Sequence, residues 1–179
     1  ALVGEGMELM CDLTSMLSRI RQSKLAHELL VRTARVKGVA APHAIDATAG
    51  FGEDALLLAA AGFHVQLFEQ DPVIAALLAD GLSRAVDNPQ LSPIVARMRL
   101  TQGDSVQALR ARATMDVAVP DVVYLDPMFP ARQKSAAVKK KFQLLHHLES
   151  PCANEEELLH AAIAAKPRKV VIKRPAKGP

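Results

Sequence analysis

Residues 43–62, HAIDATAGFGEDALLLAAAG, narrow the possible architectures more than any other stretch. A short apolar run of strand character leads directly into Gly50-Phe51-Gly52-Glu53-Asp54-Ala55, which fits G-x-G-x-x-A, and a helix starts inside that pattern. Glycines at such a turn reach backbone conformations closed to other residues and let a ligand approach the main chain. A strand, a glycine turn and a helix in immediate succession form the opening unit of a parallel sheet with helices packed on its faces.

The rest of the chain keeps the alternation. Strands are predicted at 43–47, 63–69, 97–102, 121–126 and 169–173, and helices at 23–36, 53–62, 71–86, 105–113 and 155–165. Acids in the first turn of the 53–62 helix and Gly62 past its end suit the helix dipole and a left-handed cap. Residues 1–20 also read as helical, so that 1–40 form a helical lead-in to a single domain spanning 1–179. The fold class is α/β, a Rossmann-like, mostly parallel sheet with helices on both faces and five legible strands.

Aromatics are only 3% of the chain and Trp is absent, so Ala, Leu and Val must build the core. Cys11 and Cys152 lie far apart with no partner at metal-ligand spacing and read as free thiols. The six histidines are scattered or adjacent, so no metal site is expected. No apolar run approaches the roughly 18 residues of a membrane span, and a cytoplasmic protein is expected. Charge is uneven: residues 1–131 sum to −4 and residues 132–179 to +7. A basic last quarter suits a polyanionic partner, because Lys and Arg supply most sequence-independent affinity for nucleic acid.

Ligands of an open parallel sheet sit beyond the carboxyl ends of its strands. Four acids fall there: Asp46, Glu69, Asp104 and Asp126 close or follow the first four strands. A dinucleotide would bring its pyrophosphate to the helix start, where Glu53 and Asp54 would repel it. S-adenosylmethionine carries no phosphate; it offers a sulfonium, an ammonium, a ribose and an adenine, and acids suit it. Asp46 and Asp54 are candidates for the ammonium, with Gly50 and Gly52 giving backbone access. Glu69, about 20 residues past the glycine loop, stands at the spacing used for ribose hydroxyls. Asp104 and Ser105 are placed for the adenine edge.

LDPMFP, residues 125–130, resembles the (Asp/Asn)-Pro-Pro-(Tyr/Phe) loop of methyltransferases that modify amino nitrogens, with Met128 where a second Pro would stand. An aromatic amine's lone pair is delocalised into its ring. The Asp126 carboxylate and the Pro127 carbonyl can accept its N–H bonds and aim the lone pair, while Phe129 offers a ring for a flipped base. Arg132, Lys134, Lys139, Lys140 and Lys141 follow closely, and Lys173 and Arg174 extend the basic surface, so these cations are candidates for RNA phosphates.

DATAGFGEDA, LFEQDPVIAALLADGL, VVYLDPMFPARQKSAAVKK and VVIKRP together resemble the bacterial 16S ribosomal RNA guanine-N2 methyltransferases of the RsmJ type, over most of residues 43–175. The resemblance implies a class I methyltransferase that moves a methyl group from S-adenosylmethionine to a guanine amine in the small ribosomal subunit. It also implies cofactor contacts at Glu53-Asp54, Glu69-Gln70, Asp104-Ser105 and Asp126. Members of that family are longer and normally have seven strands, so a truncated or incompletely represented protein is expected. The residues alone leave two further readings open: an amino methyltransferase acting on DNA adenine or protein glutamine, and a non-catalytic module binding a dinucleotide or RNA.

Overall fold

The computed structural model describes residues 1–4, 7–127 and 155–174. Five strands, β3 (His43–Asp46), β4 (His64–Glu69), β5 (Met98–Gln102), β6 (Val122–Leu125) and β7 (Lys169–Ile172), form one parallel sheet in the order β5-β4-β3-β6-β7. After building outward from β3 to β5, the chain crosses back and places β6 on the other side of β3. The crevice of the sheet therefore opens at the carboxyl ends of β3 and β6, the switch point at which ligands of such sheets bind.

Parallel strands covered on both faces must be apolar on both, and β6 is: Val122, Val123, Tyr124 and Leu125 are all buried. Alternate residues feed two cores. Ala44, Val65, Leu67, Val122 and Tyr124 pack with α3 (Glu53–Ala60), α4 (Pro72–Val86) and the N-terminal segment. Ile45, Phe68, Val123 and Leu125 pack on the opposite face against Leu109 of α6 (Ser105–Thr114) and Leu158, Ala161 and Ala162 of α7 (Glu155–Ala164).

Helix starts follow local chemistry. Asp71 accepts hydrogen bonds from the Val73 and Ile74 amides at 2.8 and 3.0 Å, and Pro72 occupies the first helical position, where its missing N–H costs nothing. Asp104 caps α6 the same way.

The N-terminal expectation is corrected. Leu2–Gly4 (β1) and Met7–Leu9 (β2) pair antiparallel, Leu13–Met16 form a single 3-10 turn, and the helix expected at 23–36 divides into α1 (Gln22–Leu25) and α2 (Leu29–Ala34). Gly4 and Gly6 each disfavour a helix by about 1 kcal/mol, enough for strand pairing to win in so short a piece. The Arg19 guanidinium grips Glu28 with two bonds of 2.8 Å, Nε to Oε1 and Nη2 to Oε2, and Glu28 is extended (ψ 124°), which breaks the expected helix between α1 and α2. A further turn, α5 (Ser92–Val95), carries no clear signal in the sequence.

Gly81 marks where α4 meets the N-terminal segment. A Cβ there would lie 2.5 Å from Cys11 Sγ and 2.9 Å from the Cys11 carbonyl oxygen. Gly81→Val is therefore expected to lower stability by about 1–3 kcal/mol through overpacking, read as a drop in the urea midpoint. An unchanged midpoint would mean that the helix and the Cys11 segment do not pack this closely.

Candidate active site

The loop after β3 is built on two left-handed glycines, Gly50 at φ +52° and Gly52 at φ +72°. Gly52 packs inward, and a Cβ on it would sit 2.8 Å from Leu78 Cδ1. Gly50 faces open space, where a Cβ would meet nothing within 4 Å. Glu69 holds the loop against the end of β4: its Oε2 accepts the Gly50 amide at 2.8 Å and its Oε1 the Asp71 amide at 2.9 Å. Burial raises the Glu69 carboxyl above its ordinary range, and these two N–H groups oppose the shift.

Asp46, at the end of β3, is 1% exposed, and its Oδ1 accepts the Thr48 amide at 3.1 Å. Burial pushes its carboxyl up to about 7, against the Thr48 hydrogen bond and with help from Asp54, Asp126 and Glu69. Thr48 Oγ1 accepts the Asp126 amide at 2.7 Å, tying the loop after β3 to the loop after β6. The Tyr124 hydroxyl donates to Asp54 Oδ2 at 2.5 Å, and burial together with that carboxylate pushes the phenol well above its usual value. Lys173, just past β7, donates to Asp54 Oδ2 and to Asp126 Oδ2, both at 2.7 Å. Burial disfavours its ammonium, but the two carboxylates outweigh that and raise its pKa.

Of the residues singled out from sequence, Asp46, Gly50, Gly52, Asp54, Glu69 and Asp126 come together at the ends of β3, β4 and β6. Glu53 and Gln70 are exposed beside them. Asp104 spends its carboxylate on capping α6, accepting the Val106 amide at 2.8 Å; Ser105 opens the helix, and Gly103 donates to the Glu69 carbonyl at 2.8 Å, which keeps this turn beside β4. Pro127 is buried directly behind Asp126. Phe129, Arg132, Lys134, Lys139, Lys140 and Lys141 lie outside the described residues, as does Cys152. Cys11 is a buried free thiol. Arg174 is exposed and pairs with Glu155.

The sequence reading makes Lys173 a phosphate contact, yet its ammonium engages carboxylates here. It also passes over Thr48 and Tyr124. A hydroxyl two residues past Asp46 and the chain's single Tyr inside an otherwise Val and Leu strand are the available signals. An open hollow of about 270 Å³ between α6 and α7, lined by Arg110, Glu156, Glu157 and His160, includes none of these acids. Among the described residues no group of His, Cys, Asp or Glu could hold a metal ion, and no helix is long and apolar enough to cross a membrane.

The donor set decides what fits. Asp54, Asp126 and Glu69 all act electrostatically on Asp46 at the crevice, and Lys173 bridges Asp54 and Asp126. A pyrophosphate on the α3 start would meet this field at close range. A cationic, phosphate-free ligand meets attraction there, open space above Gly50, and carboxylates able to accept from an ammonium and from ribose hydroxyls. The residues present thus fit S-adenosylmethionine.

Comparison with known proteins agrees. The family SAM_MT, described as "Putative SAM-dependent methyltransferase", matches residues 4–179. The chain is 41% identical over 177 residues to a ribosomal RNA small subunit methyltransferase J of Neisseria gonorrhoeae, covering 99% of this chain and 70% of that protein. It is 46% identical over 160 residues to the protein of the same name in Nitrosococcus oceani, covering 89% of this chain and 62% of the relative. A solved SAM-dependent methyltransferase from Neisseria gonorrhoeae superposes with a TM-score of 0.72 at 35% identity, over 99% of this chain and 68% of that one. Its sheet, its acidic switch-point crevice and these matches place the chain in the SAM_MT family of S-adenosylmethionine-dependent methyltransferases.

Proposed function

We propose that this methyltransferase modifies the exocyclic N2 of a guanine in 16S ribosomal RNA, in the cytoplasm. The observation that carries the reading is Asp126: a carboxylate at the switch point, followed by a buried proline and fixed through its amide to Thr48. The names of the relatives, small-subunit ribosomal RNA methyltransferases, support the substrate class.

The backbone of Gly50 and Gly52, with Asp46, Glu53, Asp54, Glu69, Gln70, Asp104, Ser105 and Asp126, would hold the cofactor. Bound S-adenosylmethionine supplies an electrophilic methyl group and a thioether leaving group. Asp126 and the Pro127 carbonyl accept the two amine N–H bonds and orient the nitrogen lone pair, and Asp126 takes the proton that the nitrogen loses. Phe129 stacks on the target base, and Arg132, Lys134, Lys139, Lys140 and Arg174 hold phosphates beside it.

Purified protein is expected to transfer radiolabelled methyl to 16S ribosomal RNA or 30S particles from cells lacking the modification, with N2-methylguanosine identified by mass spectrometry of the nucleosides. Incorporation into DNA adenine or a glutamine-containing protein, with none into either RNA substrate, would overturn the assignment.

A further inference from the structure

We infer that Lys173 is a positioning residue for methyl transfer, its ammonium locking the Asp126 carboxylate to Asp54 and so joining the substrate side of the crevice to the cofactor side. This rests on the proposed role of Asp126 at the acceptor nitrogen. The Lys173 backbone is placed by the sheet: its amide donates to the Leu125 carbonyl at 2.9 Å, continuing the β6–β7 pairing one residue beyond the strands. From there its Nζ reaches both carboxylates at 2.7 Å. Asp54 is not free to swing, because the same Oδ2 also takes the Tyr124 hydroxyl at 2.5 Å. On the other side, the Asp126 amide is held by Thr48 Oγ1 at 2.7 Å.

Asp126 is thus fixed at its backbone and at one carboxylate oxygen. Among the described residues no donor meets the second oxygen, Oδ1. An ion pair whose lysine side chain is 54% exposed adds little to stability, so aim rather than folding is what this contact supplies. The charge pattern agrees. Asp54 on α3, Asp46 on β3, Glu69 on β4 and Asp126 after β6 converge here, the Arg19–Glu28 pair of the N-terminal segment lies within electrostatic range of Asp54, and Lys173 bridges two of the acids.

Lys173→Met and Lys173→Arg in the full chain test this. The Met variant is expected to lower kcat about 10- to 100-fold, with KM for S-adenosylmethionine changed less than about threefold and an unaltered melting temperature. The Arg variant, whose fork can still reach both acids, should recover most of the rate. A Met variant within twofold of wild type, or one whose kcat, S-adenosylhomocysteine affinity and melting temperature fall together, would overturn the inference. If wild type methylates no RNA yet binds S-adenosylhomocysteine, it is the substrate reading that fails. Lys173 is then decided by that affinity and the melting temperature, both of which the Met variant keeps if the ammonium only aims Asp126, and a loss of either overturns the inference.

Discussion

Asp126→Ala is expected to slow methyl transfer about 10²- to 10⁴-fold, the range for removing a positioned general base, while the protein stays folded. The stability cost is small for a definite reason. The Asp126 side chain is 33% exposed and its ion partner Lys173 54% exposed, and such pairs contribute about 0–1 kcal/mol. The Asp126 amide still donates to Thr48, so the loop keeps its backbone anchor, and Lys173 still has Asp54 as a partner. S-adenosylhomocysteine binding should weaken by less than about tenfold, because Asp46, Asp54 and Glu69 remain. Asp126→Asn is predicted to rescue little: its amide keeps an acceptor but can take no proton, and its NH2 group would compete for the place beside the Lys173 ammonium. Single-turnover rates with labelled cofactor, set beside calorimetry, separate the two effects. A rate within fivefold of wild type would remove Asp126 from the chemistry.

What was legible in the sequence follows from where the folding information is local. The five strands begin and end within one residue of expectation because β3, β4 and β6 are short apolar or alternating runs closed by an acid, β5 stops at Gly103, and β7 is a Val-Val-Ile run closed by Lys173-Arg174. Asp46, Glu69 and Asp126 could be grouped because strand ends in a parallel sheet share one rim. Asp104 lies on that rim too, and there its carboxylate also caps α6, a local role that strand-end position alone does not reveal. Lys173 shows the limit. Read along the chain it belongs to the basic last quarter, and only the strand order, which alternation does not encode, sets β7 beside β6 and residue 173 across from 126. Tyr124 was hidden for a related reason: its ring is core, and its hydroxyl reaches Asp54 on a helix 70 residues away. The N-terminal segment failed differently, since Gly4, Gly6 and the Arg19–Glu28 pair decide its shape through backbone preference and a side-chain contact that periodicity does not register.

The other large effect is on stability, and it should appear as a trade against binding. Asp46 has a folded-state carboxyl at about 7, against an ordinary value of 3.8. Below pH 4 both the folded and the unfolded chain carry its proton, and nothing is lost. Between 4 and 7 only the folded state holds the proton, so stability falls as pH rises; above 7 the carboxylate is buried at full cost. Three pH units at about 1.4 kcal/mol each set a ceiling of about 4 kcal/mol. An asparagine side chain at this position keeps the acceptor for the Thr48 amide and carries no charge at any pH, but it buries an NH2 group that costs about 1–3 kcal/mol if unpaired. Asp46→Asn is thus expected to gain about 1–3 kcal/mol at pH 8 and little or nothing at pH 4. Glu69 also sits above its usual value and slopes the same way, so only the difference between wild type and variant isolates Asp46. Urea unfolding of both proteins across that pH range measures it, and parallel curves would show that the buried carboxyl is not the source. The same substitution removes one negative charge from the crevice, so the cationic cofactor should bind more weakly to the more stable protein. Weaker binding by a more stable variant would show that this buried acid is kept for the ligand at a cost to the fold.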